Sequence, residues 1–210
     1  MKKRLLAFLL LALAGAAWAG GLESLEAFVR NAKSGRATFS QTVTPPPRQG
    51  EPARAKTSSG SFEFQRPGKF RFDYSKPFVQ TIVADGQSLW IYDADLNQAT
   101  QRSQAQALGS TPAALIAAAP DLRALQADFT IEAAPDREGL QWVKATPKDK
   151  EGQLQSVQVG FRGGVLAALE ILDNFGQRSQ IIFGPFELNT PVRAGIFSFK
   201  PPPGVDLIRQ

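Results

Sequence analysis

The segment from Gly60 to Tyr74 constrains the fold more strongly than any other part of the chain. Its aromatic side chains all occupy even positions, namely Phe62, Phe64, Phe70, Phe72 and Tyr74. Its odd positions include the polar residues Glu63, Gln65, Lys69, Arg71 and Asp73. Because successive side chains of a β-strand point to opposite faces of a sheet, this alternation predicts a pair of strands with one aromatic face and one polar face.

Arg66 interrupts this alternation, because it lies on the aromatic parity immediately before Pro67. Two interpretations remain open from the residues alone: the strand ends and the side chain turns to solvent, or the guanidinium points into the aromatic interior. An interior guanidinium has to be multiply hydrogen-bonded, since burying it unpaired costs several kcal/mol. The aromatic face also has two interpretations, a filled core or a cavity, and the alternation does not distinguish them.

The first residues have the pattern of a cleavable secretory signal. Basic residues between Met1 and Arg4 precede a short apolar run, and Ala17-Trp18-Ala19 supplies an Ala-x-Ala site, so we predict cleavage after Ala19. The run is shorter than the roughly 20 residues of a membrane-spanning helix. We therefore expect residues 1–19 to be removed and residues 20–210 to form a single soluble, exported domain with no stable insertion into a membrane.

Composition excludes several classes of function. Without the three basic residues of the signal, the formal net charge falls from +5 to +2, which makes nucleic acid a poor partner. The chain contains no cysteine, so it has neither a disulfide nor a lipid-modified cysteine. It contains no histidine, which removes the commonest general base and metal ligand. We predict no catalytic residue, no metal and no cofactor.

Short segments separated by turn signals recur along most of the chain, at roughly eight- to twelve-residue spacing. They predict a mainly β fold with some α (α+β), built on a single antiparallel sheet of about eleven strands that is curled or closed. Residues 196–199 are predicted as the last strand. Residues 89–92 are apolar on both faces of their strand, so we expect a covering element on each side of it. The Pro-rich stretch 45–59 is predicted to be an exposed loop.

Two helical regions interrupt the pattern. An amphipathic stripe at residues 22–34 predicts an N-terminal helix that stops near Gly35. Thr111 and Pro112 begin a second, small-residue helix that ends before Pro120, and a short turn follows, so this region spans about 111–125. A helix this short is marginal in water, so it must lie on an apolar surface. Its last carbonyls have no donors within the helix, and a buried guanidinium would suit them.

Asp93 and Asp95 are the remaining candidates for catalysis. A hydrolase of the glycosidase type needs two carboxylates that face each other across a cleft. The simpler interpretation is a polar turn after a strand, so a periplasmic hydrolase is a remote alternative.

Several motifs in the same order along the chain resemble the LolA family of periplasmic outer-membrane lipoprotein carrier proteins. They are Phe39–Val43, Arg66–Phe72, Val83–Tyr92, Gln98–Thr100, Thr111-Pro112 with Leu115 to Ala117, and Phe197–Val205. The resemblance implies an incomplete, strongly curved barrel with a helical lid over an apolar cavity. It implies a periplasmic monomer that receives acylated lipoproteins from an ATP-driven release complex of the inner membrane and passes them to an outer-membrane receptor. The Pro-rich 45–59 loop departs from the family, because it is longer and more basic than usual.

The resemblance also implies roles for particular residues. Arg66 falls at the arginine that holds the family's lid closed through backbone carbonyls, here those of Leu115, Ile116 and Ala117. The acyl-chain cavity is expected to be lined by Phe28, Val29, Phe39, Phe62, Phe64, Phe70, Phe72, Ile82, Leu89, Leu115 and Ile116. The main alternative is a regulatory module of the same architecture that senses lipids or lipoproteins.

Overall fold

The computed structural model of the protein describes residues 20–47, 52–105, 116–117 and 119–210. Three predicted features lie outside these residues: the signal at 1–19, most of the lid helix, and Leu115, which was expected to accept a hydrogen bond from Arg66. The described part contains two helices, α1 (Gly21–Asn31) and α2 (Leu122–Asp128). Its strands are β1 (Ser34–Thr44), β2 (Lys56–Gln65), β3 (Lys69–Lys76), β4 (Gln80–Asp85), β5 (Ser88–Asp93), β6 (Gln98–Ser103), β7 (Phe129–Arg137), β8 (Leu140–Pro147), β9 (Leu154–Arg162), β10 (Val165–Asp173), β11 (Arg178–Phe183), β12 (Glu187–Leu188) and β13 (Asp206–Arg209).

The strands form one sheet in the order β13-β6-β5-β4-β3-β2-β1-β11-β10-β9-β8-β7, and β12 pairs with β1. Among the described strands β13 and β7 are the two unpaired ends, so the sheet is open. This confirms the predicted mainly β class and the incomplete closure. The sheet has 13 strands rather than about eleven. All pairs are antiparallel except β13, which runs parallel to β6.

Three boundaries differ from the prediction for physical reasons. The loop predicted at 45–59 ends earlier, because β2 begins at Lys56 and pairs there with Val43 of β1. Helix α1 ends at Asn31, because Ala32 is already extended and its N–H closes the last turn on the Phe28 carbonyl at 2.9 Å. The chain then enters β1 at Ser34, so Gly35 is a strand residue rather than a helix stop. Residues 196–199 are not a strand. They form a turn and an extended segment that packs on the sheet.

The sheet is covered on both faces. On the inner face, α1 contacts β7 to β10 and buries Leu25, Phe28 and Val29. On the outer face, the ring of Phe199 lies 5.5 Å from the rings of both Trp90 and Tyr92. On the opposite face of β5, Leu89 is buried within the hydrophobic cluster of the inner face. The expectation that residues 89–92 are covered on each side is therefore confirmed. In the described part of the chain, no helix is both long and apolar enough to cross a bilayer.

Candidate functional site

The inner face of β1 to β3 carries a continuous cluster of aromatic side chains, which we call the aromatic cluster. Phe62 lies at its centre, with its ring centroid 4.4 Å from that of Phe72 and 5.8 Å from that of Phe64. The predicted cavity residues that the structure describes all belong to one buried group or pack against it: Phe28, Val29, Phe39, Phe62, Phe64, Phe70, Phe72, Ile82, Leu89 and Ile116. The structure thus brings the predicted residues together.

Among the described residues, the rings of the cluster pack against one another. Phe183 and Phe186, which the sequence analysis did not select, lie 5.6 Å and 6.3 Å from Phe62 and complete the cluster. Phe62 and Phe64 are fully buried. The part of the inner face that the structure describes is therefore a packed core, and an acyl chain would have to replace ring contacts in order to occupy it.

Arg66 is placed at the turn between β2 and β3, where its side chain points towards the aromatic cluster. Its Nε donates to the Ala32 carbonyl at 2.9 Å, and its Nη1 donates to the Ala119 carbonyl at 3.0 Å. The expected acceptors were the carbonyls of Leu115, Ile116 and Ala117. Among the described residues, no side-chain bond from Arg66 reaches Ile116 or Ala117, because the acceptors lie further along the chain and at the end of α1.

The Ala117 carbonyl is bound by the backbone instead. The N–H of Gly68, in the same turn as Arg66, donates to it at 3.2 Å. Gly68 has φ +77°, a conformation that glycine adopts without strain. The buried side chain of Gln104 braces this turn, because it donates to the Gly68 carbonyl and accepts the N–H of Gly86. Nothing in the local sequence pattern pointed to Gln104.

The guanidinium of Arg66 occupies an apolar setting. It lies 5.7 Å from the ring centroid of Phe28 and 5.4 Å from that of Phe64, within the range of cation–π attraction. Its Nη2 is buried and has no hydrogen-bond partner within the described residues. Burial lowers the pKa of Arg66 to about 10, so the side chain stays charged at neutral pH. Two carbonyl acceptors and two aromatic rings therefore stabilise the positive charge of Arg66, although they do not satisfy all of its N–H donors.

A cleft of about 580 Å³ opens at the other end of the inner face, beside Tyr74 and Gln41. Asp93 and Asp95 also line it. The Asp93 Oδ1 accepts the backbone N–H of Leu96 at 3.1 Å, as in the polar turn that the sequence suggested.

These features define a class of protein. The open, mainly antiparallel sheet has an apolar inner face, and a covering segment, residues 116, 117 and 119, is tied to it by the charged side chain of Arg66. Such an arrangement is suited to binding apolar ligands. The family model described as "Outer membrane lipoprotein carrier protein LolA" matches residues 30–200. The chain belongs to this family.

Close relatives agree with this assignment, and a solved structure shares the fold. A protein of Albidiferax ferrireducens named outer-membrane lipoprotein carrier protein is 64% identical over 203 residues, which is 95% of each chain. A protein of the same name from Methylibium petroleiphilum is 54% identical over 94% of this chain and 93% of its own. An uncharacterized conserved protein from Thermus thermophilus superposes with a TM-score of 0.50 at 14% identity, covering 90% of this chain and 96% of its own, which shows the fold alone.

Proposed function

We propose that the protein is a periplasmic carrier that binds the acyl chains of lipoproteins released from the inner membrane and delivers them to the outer membrane. Its partners are acylated lipoproteins as cargo, an ATP-driven release complex at the inner membrane, and a receptor at the outer membrane. Residues 20–210 act as the single carrier domain after removal of residues 1–19. The proposal rests on the family and on the relatives' names.

The need for a carrier follows from the cost of exposing acyl chains to water. Each buried methylene contributes about 0.8 kcal/mol, so a chain of about sixteen carbons carries on the order of 13 kcal/mol. Two or three such chains do not cross an aqueous compartment unaided. The single observation that supports this function best is the continuous aromatic cluster, since it offers an apolar surface on the inner face of an open sheet.

Release is as important as binding, and Arg66 is the proposed latch. When its guanidinium holds the Ala32 and Ala119 carbonyls, residues 116, 117 and 119 stay docked on the aromatic cluster. An acyl chain that enters competes with this docking and with the contacts of the rings among themselves. Closure and cargo binding are then alternatives, so a partner that favours closure promotes release.

Native mass spectrometry of protein purified from its own periplasm tests the carrier function. We expect stoichiometric acylated lipoprotein on the wild-type chain. Two isoleucines on opposite faces give a matched pair of variants: Ile82 packs against the aromatic cluster, whereas Ile182 is exposed on the outer face. Ile82→Glu is expected to lose the cargo, because it places a carboxylate beside the acyl chains, and Ile182→Glu is expected to retain it.

The proposal is wrong if folded wild-type protein carries no acylated lipoprotein. Recovery of such protein bound to a membrane regulator would instead support the sensing module.

A further inference from the structure

A chain of polar side chains closes the aromatic cluster at the end that faces the cleft. The hydroxyl of Tyr74, on β3, donates to the Oε1 of Gln41, on β1, at 2.8 Å. The Nε2 of Gln41 donates in turn to the Oγ of Ser179, on β11, at 2.7 Å. We call these three residues the polar relay. The Tyr74 ring lies 4.9 Å from that of Phe39, so the relay adjoins the cluster directly.

The relay holds hydrogen-bond donors that the bonds among the described residues do not use. A glutamine amide has two N–H donors, and Gln41 uses one of them on Ser179. The Ser179 hydroxyl accepts that bond, which leaves its own O–H available. Burial raises the pKa of Tyr74 to about 12, so this residue stays a neutral donor at physiological pH. The relay therefore offers neutral donors at the boundary between an apolar interior and an open cleft.

The cleft outside the relay favours one class of polar group. Its rim includes Phe78 and Leu96, which are 66% and 69% exposed, and can contact the chains as they leave the interior. The charged residues that line it, within the described part of the chain, are Asp93 and Asp95. Two carboxylates repel the phosphate of an anionic lipid or the carboxylate of a free fatty acid. A neutral linkage experiences no such repulsion.

We propose that the polar relay is a binding subsite for the ester carbonyls through which acyl chains are attached to the lipoprotein. This inference rests on the proposed carrier function and deepens it. An ester carbonyl that is drawn out of water with its chain loses hydrogen bonds unless the protein replaces them. The Gln41 amide supplies the bond, and Tyr74 and Ser179 are positioning residues that fix its orientation. The subsite gives the carrier a preference for ester-linked cargo over other apolar molecules.

A matched pair of lipopeptides tests the subsite. Both carry an N-terminal cysteine with two sixteen-carbon chains on an S-glyceryl group, in one peptide through ester bonds and in the other through ether bonds. The chains are of equal length, and only the diester has carbonyl oxygens where the chains join the glyceryl group. We expect the wild-type protein to bind the diester about three- to tenfold more tightly, the range that one net hydrogen bond provides.

Variants assign that preference to the relay. Gln41→Leu and Tyr74→Phe are expected to bring the ester-to-ether ratio close to one and to leave diether affinity within about twofold of wild type. The control is Tyr92→Phe, which removes the chain's other tyrosine hydroxyl from the outer face and should keep the wild-type ratio. Ser179→Ala provides a further test if Tyr74→Phe does not fold.

The possible outcomes distinguish a failure of the ester subsite from a failure of the carrier function. Equal binding of diester and diether by the wild-type chain overturns the subsite and leaves the carrier function standing. The subsite is also overturned, and the carrier function retained, if the variants keep the full ester preference or if they lose affinity for both ligands equally. If the wild-type chain binds neither lipopeptide, the carrier function itself fails.

Discussion

Replacing Arg66 with leucine tests whether one side chain holds the covering segment on the aromatic cluster. In the structure, the bond that joins Arg66 to this segment is the one from Nη1 to the Ala119 carbonyl at 3.0 Å. The bond from Nε ends on Ala32, next to α1, and does not reach the segment. The substitution removes both bonds. The backbone bond from Gly68 to Ala117 is independent of the side chain and should persist.

The expected magnitude follows from these contacts. A hydrogen bond to a charged group contributes about 1.5–3 kcal/mol, and each 1.4 kcal/mol changes an equilibrium about tenfold. The buried Nη2 of Arg66 has no partner among the described residues, so docking the guanidinium carries a desolvation cost that offsets part of this gain. We therefore expect the lower end of the range, an increase of about tenfold in local opening at residues 116, 117 and 119.

Amide hydrogen exchange at residues 116, 117 and 119 measures this opening directly. The control is Arg36→Leu, since Arg36 is an exposed arginine that pairs with Glu187 on the surface and does not touch the segment. Exchange in the control should match wild type. If Arg66→Leu also leaves exchange at these amides unchanged, Arg66 is not a latch. We further expect this variant to bind cargo but to couple closure to release less well.

Two further predictions concern the sheet around the site. Gly60→Ala should destabilise the fold by more than about 2 kcal/mol in chemical denaturation, because the added Cβ would overlap the Asp73 carbonyl oxygen. The control is Gly152→Ala, where the added Cβ meets open space and should change stability little. Equal denaturation midpoints for the two variants would contradict this prediction. In the Tyr92→Phe variant, only Tyr74 titrates, and we expect its phenolate absorbance to appear near pH 12 rather than at the ordinary value of about 10. The raised pKa means that stability is retained below about pH 10 and is lost as the pH rises towards 12; a midpoint near 10 would show that Tyr74 is not buried.

The parts of the fold that could be predicted are those encoded locally. The alternation in β2 and β3 placed their aromatic residues on one face correctly, because strand periodicity depends only on neighbouring residues. The same reasoning failed at residues 196–199. Phe197 is buried there by packing against the sheet, and the backbone bonds are local turns such as Ser198 N–H to the Gly195 carbonyl. Strand β13 was missed because its partner, β6, lies far away in the sequence.

The site divides in the same way. The sequence showed that Arg66 is unusual, because it is a charged residue at a position where the alternation places aromatic side chains. The direction of its side chain could not be predicted, since the carbonyls that decide it belong to residues 34 and 53 positions away. Gln104 and Ser179 were not selected for a related reason. Gln104 acts through two long-range hydrogen bonds and Ser179 through one, and neither residue belongs to a local motif.

The packing of the aromatic rings against one another should promote the release of cargo. Burying one phenylalanine contributes about 1.5–3 kcal/mol, so about half a dozen rings packed on themselves return on the order of 10 kcal/mol, comparable to one acyl chain. Closure can therefore offset about as much binding energy as one acyl chain contributes. A substitution that weakens the packing of the aromatic cluster should then favour the cargo-bound form over the closed form.

Phe72→Ala tests this reasoning. Phe72 is 6% exposed, and its loss should destabilise the packed form by about 3–5 kcal/mol, whereas an acyl chain can fill the space left in the loaded form. We expect slower transfer of a diacyl lipopeptide to acceptor vesicles than with wild type. Phe199→Ala, on the outer face, should leave transfer unchanged. Faster transfer from folded Phe72→Ala would mean that the rings serve only to hold the chains, and that their packing among themselves does not drive release.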